Sequence, residues 1–321
     1  MKDLIILALL QIPQIGKKTI EVLFKNNTIV PNSISEVREL FLDTRYINAA
    51  IKVPEVIEIE KALNKAESII ETSIKENIKL VSILHDDFPK KLKNIPNPPV
   101  LLYYKGNFNC LIEENSIAVI GTREPTKHGA KIAKRIGYIF GEKNFIVVSG
   151  LAIGCDMYAH TGCVDAKGKS VAVLPCGLDN VYPKSNRQLA EEILNENGCL
   201  VSEYAVGTKP YKNLFIERDR LQSGLSKAVF VVETDIKGGT MHTVRFSQEQ
   251  KRILACFSHP EEYLNEEKTK GNQKLIKEGK AIAVKDEKDI KTLIEKILEF
   301  KYLDTFEENN ESNNYKQLSF Y

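Results

Sequence analysis

The stretch "SIAVIGTREPTKHG", Ser116 to Gly129, decides the fold. An unbroken apolar run, Ile117 to Ile120, meets one glycine, Gly121, then Arg123, then a helix-forming segment. Apolar runs with little alternation mark strands buried on both faces, as in a parallel sheet flanked by helices. Strand, glycine turn and helix is also how nucleotide-binding folds build a phosphate loop. The dinucleotide fingerprint, however, needs three closely spaced glycines and an acid about 20 residues on. "GTREPTKHG" lacks the second and third of them, and the next strand, "FIVVSG", ends in serine. No G-x-x-x-x-G-K-[ST] loop occurs, so no motif supports Walker-type ATP hydrolysis. What such a turn holds, if not a pyrophosphate, is the question the rest of the chain must answer.

The same pattern repeats outward. After Ser116 come "SIAVIG", "FIVVSG", "SVAVLP", "CLVSEY", "AVFVVET", "RILACF" and "AIAV", with helical segments long enough for crossovers between most of them. This predicts an α/β fold, a Rossmann-like doubly wound and mostly parallel sheet. Residues 1–80 are helical in pattern, with two apolar stretches around "IPQIGKK" and a long amphipathic helix in "VPEVIEIEKALNKAESIIETSIKENI". "IPQIGKK" resembles a helix-hairpin-helix turn, and 1–80 reads as a small helical domain, helix-hairpin-helix or SAM-like. The prolines of "FPKKLKNIPNPPVLLYYKGN" exclude a long helix there and predict an ordered connector into a first strand, "VLLYYKG". The main domain then runs over 81–302. The Asn/Glu-rich segment 303–321 lacks periodicity and is expected to be disordered.

In open α/β sheets, ligands bind beyond the carboxyl ends of the strands. Four glycine-bearing turns fall there: Gly121–Arg123, Ser149–Asp156, Pro175–Pro183 and Thr234–Thr243. Two of them lead into helix N-termini, where free amides and the dipole favour anions. Arg123 lies in the first, and Gly150 and Gly154 permit close backbone approach in the second. Thr122, Ser149, Thr240 and Thr243 can add donors, so the rim is suited to phosphate. "KPYKNLFIERDRLQSGLS", Lys209 to Ser226, interleaves Lys209, Lys212, Arg218 and Arg220 with Tyr211 and Phe215. Cations track phosphates and aromatics stack unpaired bases. Arg218 and Arg220 diverge by about 200° on a helix, so one faces the ligand and the other pairs with Glu217 or Asp219. Asp156 and His160, at i and i+4, read as a structural pair that fixes a loop, with a base and its orienter as the alternative.

Composition sets limits. A net charge of +2 gives no global basic footprint, so a nucleic-acid site must be local. None of the six cysteines forms a C-x-x-C pair, and the five histidines are scattered. That predicts reduced buried thiols, no metal site and no cofactor. The run "LIILALLQI" is too short to span a bilayer and lacks a cleavage site. The chain reads as cytoplasmic, with no membrane partner.

In this order, "SIAVIGTREPTKHG", "IVVSGLAIGCDMYAH", "SVAVLPCGLDNVYPKSN", "LVSEY", "FIERDRLQSGLSKAVFVVE" and "GGTMHT" resemble the DNA-processing protein A family (DprA, also called Smf). The resemblance covers about residues 80 to 260. It implies a non-enzymatic protein that binds single-stranded DNA without sequence preference. Such a protein protects incoming strands in natural transformation, helps load a RecA-type recombinase, and forms homodimers. Carried onto matching positions, it implies DNA contacts at Arg123, Ser149, Gly150, Leu151, Lys212, Phe215 and Arg218, to which the reading of the rim and the basic segment adds Gly121, Thr122, Arg220, Gly239 and Thr240. Three departures stand out. The family's usual R-N-R is R-D-R here, placing Asp219 beside the cations. The loop Gly238–Thr243 differs from the family's, and the frequent C-terminal winged-helix domain has no counterpart after about residue 300. The wider superfamily offers alternatives: a sensor of a nucleotide-derived ligand, or a nucleoside-monophosphate phosphoribohydrolase. For the latter, Glu249 is too distant to match the catalytic glutamate.

Overall fold

The computed structural model describes residues 1–25, 30–48 and 50–302. The segment 303–321, expected to be disordered, lies outside the described residues. Nine strands form one sheet: β1 Lys79–Ser82, β2 Leu101–Gly106, β3 Ser116–Ile120, β4 Ile146–Ser149, β5 Ser170–Val173, β6 Cys199–Ser202, β7 Ala228–Val231, β8 Ile253–Phe257 and β9 Ile282–Val284. Their order is β1-β2-β6-β5-β4-β3-β7-β8-β9. All pairs from β6 to β9 are parallel. Only the edge pairs β1–β2 and β2–β6 are antiparallel. The fold is therefore α/β with a Rossmann-like, doubly wound sheet. Every strand the apolar runs predict is present. β1 is an addition: its "KLVS" follows the long helical pattern without a glycine or proline break.

Alternate residues of a strand face opposite sides of a sheet. In β3, Ile117 and Val119 pack with Ala133 and Phe140 of α7 (Lys127–Glu142), with Cys163 of α8 (Cys155–Asp165) and with Leu293 of α13 (Glu287–Glu299). Ala118 and Ile120 face Leu221 of α10 (Lys212–Gly224), Val244 of α11 (Thr240–Glu249) and Leu275 of α12 (Lys270–Lys277). Both faces are dry, which is why the strands read as continuous apolar runs. Two single-turn helices, α5 (Lys90–Lys93) and α6 (Asn109–Ile112), flank β2, and α9 (Arg187–Asn195) joins β5 to β6.

The first four helices are α1 Lys2–Gln11, α2 Lys17–Lys25, α3 Ile34–Ile47 and α4 Val56–Lys75. α4 begins with a capping box in which the side chains of Glu55 and Glu58 serve each other's backbone. Ile6, Leu9, Ile20, Phe41 and Ile59 share one apolar cluster with Leu101, Leu174 and Leu200 of the sheet region. The helices thus cover the β5–β6 side instead of forming a separate core. A division at residue 80 falls inside β1, and the Ser82 amide donates to Asp3 Oδ1 at 2.7 Å. No helix among the described residues is long and apolar enough to cross a membrane.

From β3 the chain winds outward through β4, β5 and β6. It then crosses back to β7 and winds the other way. β3 and β7 are neighbours, so the topological switch point lies beyond Ile120 and Val231.

Candidate nucleic-acid cleft

A cleft of about 640 Å³ opens at the switch point. Its walls come from the β3–α7 turn (Gly121, Thr122, Arg123), from α10 (Lys212, Phe215, Arg218, Asp219) and from the start of α11 (Gly239, Thr240, Thr243). Of the predicted contacts, the structure brings Gly121, Thr122, Arg123, Lys212, Phe215, Arg218, Gly239 and Thr240 together here.

Gly121 is required by packing. A Cβ there would overlap Cys155 Sγ, and the Glu233 carbonyl lies 3.0 Å away. The turn is pinned from both sides, since the Thr122 amide donates to Glu233 O at 2.8 Å and Cys155 N donates to Thr122 O at 3.1 Å. At the α7 N-terminus the Thr126 and Gly129 amides are taken. The buried Glu233 carboxylate accepts from Thr126 N at 2.8 Å and from Thr126 Oγ1 at 2.6 Å, and Thr126 Oγ1 accepts from Gly129 N at 2.9 Å. The second turn is filled likewise: Asp156 Oδ2 accepts from Gly150 N at 3.0 Å. Burial pushes the Asp156 carboxyl up from its ordinary range, opposed by the Arg218 guanidinium and the Gly150 amide. At each of the two turns expected to receive phosphate, a protein carboxylate therefore already holds a backbone amide. The helix starts that reach the cleft without a side-chain cap are α10, after Tyr211, and α11, after Gly239.

The predicted contacts divide by exposure. Arg123 and Lys212 are exposed, and neither pairs with a carboxylate among the described residues. The Arg123 guanidinium lies 5.0 Å from the Phe215 ring centroid, and Tyr182 meets that ring edge-on at 5.6 Å. Arg218 forms the floor, 4% exposed, with Nη1 donating to Val173 O at 2.9 Å. Its Nε lies 3.3 Å from Asp219 Oδ1 as an ion pair without an aligned hydrogen bond. A Cβ on Gly150 would collide with this guanidinium, so Gly150 is a packing glycine too.

Four predicted residues lie elsewhere. Ser149 is wholly buried and donates to Val119 O at 2.7 Å. Gly150 is spent on Asp156, and Leu151 is wholly buried, its carbonyl accepting from Asn186 Nδ2 at 2.9 Å. Arg220 is 2% exposed and turns from the cleft to Glu203, with Nη2 2.7 Å from each carboxylate oxygen. Lys17 of α2 joins the same carboxylate at 2.9 Å. The divergence of Arg218 and Arg220 holds, but Arg220 pairs with Glu203, not with Glu217 or Asp219. A buried cation seeks a buried carboxylate, and Glu203, directly after β6, supplies one.

Asp156 and His160 do not bond each other. Asp156 holds the Gly150 amide, whereas His160 Nδ1 meets Ser170 Oγ at 2.7 Å. Burial and Arg218 push the His160 imidazole down to about 3, so it is neutral. Sequence reasoning missed Tyr182, Ala152, Lys268 and His242, which also line the cleft. "DNVYPK" offered Tyr182 only as a loop residue, and Lys268 sits in a charged run with no motif. Among the described residues no group of three His, Cys, Asp or Glu side chains could hold a metal, and all six cysteines are buried and unpaired.

Comparison with known proteins bears on the fold and the family. The family model for DNA recombination-mediator protein A matches residues 79–295, more than half of the chain. Protein Smf of Synechocystis sp. is 41% identical over 177 residues, which are 54% of this chain and 44% of that protein. The chain thus spans less than half the length of that relative. The X-ray structure of DNA processing protein A from Streptococcus pneumoniae superposes with a TM-score of 0.65 at 27% identity, covering 90% of this chain and 99% of that one. DNA processing protein A from Helicobacter pylori, whose structure describes a single-stranded DNA binding mode, gives 0.59 at 28% identity over 69% of this chain and 96% of that one. Fold, switch-point cleft and these matches converge: the chain belongs to the DNA recombination-mediator protein A family.

Proposed function

We propose that the cleft binds single-stranded DNA without performing chemistry on it. The observation that carries this is the Arg123–Phe215–Lys212 group. An aromatic ring is flanked by two exposed cations that form no ion pair with a carboxylate among the described residues, on the rim where the sheet reverses. Cations for phosphates and a ring for an unpaired base are what a sequence-tolerant strand site needs. The Helicobacter pylori relative, by its description, binds single-stranded DNA. A non-enzymatic role is supported by the state of the acid–base candidates. His160 is buried and neutral, and Asp156 is committed to a loop amide. Protection of incoming strands, loading of a RecA-type recombinase, homodimer formation and a cytoplasmic location complete the reading. They rest on the family.

Fluorescence anisotropy with labelled oligo-dT tests the core of it. Binding should weaken steeply as salt rises, because each neutralised phosphate releases counterions. Absence of binding at low salt removes the reading.

A second reading has one observation behind it. The uncapped α11 start, with Gly239 and Thr240 at the cleft, suits a mononucleotide phosphate. It would make the protein a nucleotide sensor or a phosphoribohydrolase. Saturable binding of a nucleoside monophosphate, or release of its free base, would favour it over the first.

A further inference from the structure

On α10, Lys212, Phe215, Ile216, Asp219 and Gln222 all line the cleft. Their spacing of three and four residues puts them on one face, so Asp219 lies one turn beyond Phe215. Its side chain is 15% exposed. No hydrogen-bond donor is aligned on either of its oxygens among the described residues, since the Arg218 Nε contact is an ion pair only. An ionised carboxylate accepts hydrogen bonds at both oxygens and donates none. Asp219 is therefore an acceptor-only group in the cleft, next to an aromatic ring and still lacking donors.

A DNA strand can supply those donors in only one way. Phosphodiester and deoxyribose within a strand carry acceptors alone, so every donor sits on a base edge. A base stacked at Phe215 lies one helical turn from Asp219 along α10. Guanine offers N1–H and N2–H side by side, matching the two carboxylate oxygens. Cytosine and adenine offer one amino group each. Thymine offers a single N3–H between two carbonyl oxygens, which a carboxylate repels.

We propose that Asp219 is a specificity-determining residue that gives this cleft a preference for guanine in single-stranded DNA. The inference rests on the reading of the cleft as a single-strand site. An asparagine at this position would both accept and donate and so tolerate any base edge. The groups facing Asp219 are Arg218 on its own helix, Arg123 on the β3–α7 turn and Asp156 on α8. Burial raises the Asp219 carboxyl to about 7, with the two arginines opposing and Asp156 adding to the rise. Full acceptor capacity is therefore present at about pH 8.

The test uses the full chain and labelled thymidine oligonucleotides of roughly 15 nucleotides, within the reach of one such site. One set is all thymine, and one carries isolated guanines that cannot form quadruplexes. A third replaces those guanines with hypoxanthine, which lacks the N2 amine. At about pH 8 the guanine set should bind roughly tenfold tighter than oligo-dT, as expected of a good bidentate pair. The hypoxanthine set should fall between. Asp219→Asn should bind oligo-dT tighter than the parent and lose the guanine preference, with a circular dichroism spectrum unchanged from the parent. Equal affinity of the parent for all three sets, with oligo-dT bound, overturns the preference and leaves the strand-binding reading standing. A preference that survives Asp219→Asn also overturns it. Failure to bind any set removes the strand-binding reading itself.

Discussion

The Arg123 guanidinium lies 5.0 Å from the centroid of the Phe215 ring, across the mouth of the cleft. In that position each holds the other: the ring orients the cation, and the cation covers a ring face that a base would stack on. A base that stacks there must displace Arg123, which is then free to meet a phosphate. Phe215→Ala should weaken oligo-dT binding by about 1–3 kcal/mol, and Arg123→Ala should weaken it and lower the salt slope. Because the two groups touch, the double variant should lose less than the sum of the single losses. Anisotropy titrations of all four proteins check the cycle, and strict additivity would show the contact to be incidental.

Arg220 is expected to matter for the fold and not for the strand. Arg220→Met leaves Glu203 buried with Lys17 as its remaining cation. The cost is about 2 kcal/mol, since two charge-assisted hydrogen bonds to Glu203 are lost while Lys17 still holds the carboxylate. Urea melts should show this loss while oligo-dT affinity of the folded protein changes by less than about twofold. A large affinity loss without a stability loss would place Arg220 back in the cleft.

Thr126→Val removes the α7 N-cap and a donor to the buried Glu233 carboxylate in one substitution. A destabilisation of about 2 kcal/mol is expected. Thermal melts read it as a lowered Tm. An unchanged Tm would mean that the Thr126 amide alone satisfies Glu233.

Oligo-dT affinity should depend on pH through Asp219. Its carboxyl, raised by burial to about 7, is charged at about pH 8 and neutral at about pH 6. Bound phosphates add negative charge beside it and so favour the protonated form. Affinity therefore rises as pH falls across that window, and the guanine preference narrows. His242 also lines the cleft, so Asp219→Asn serves as the control. The control should flatten most of the rise, and an unaltered rise would assign it to another group.

Much of the fold was legible because its signals are local. A buried parallel strand writes itself as an apolar run, and a glycine-bearing turn follows four of them at the rim. Arg123, Lys212 and Phe215 were readable for the same reason, as cations and a ring beside such turns. What could not be read were partners distant in the chain. Glu233 lies far from Thr126 in sequence, and Glu203 is set apart from Arg220 by the loop between β6 and α10. Only folding reveals that two helix starts and one arginine are already satisfied. β1 was hidden because an edge strand of four residues needs no buried run on both faces. Tyr182 reaches the cleft from a loop and Lys268 from a single 3-10 turn, and no periodicity encodes the course of either.

The carboxylates that fill the first two turns also decide which anions the rim ignores. Glu233 and Asp156 are tethered residents, present at an effective concentration that no free ion matches. Orthophosphate finds the Thr126, Gly129 and Gly150 amides taken and meets separated cations and the uncapped α11 start, each weak alone. Linked phosphates gain with every further cation they reach, because the first contact holds the rest nearby. Under the strand-binding reading the cleft is thus a length filter: single phosphates wash out, and a polymer stays.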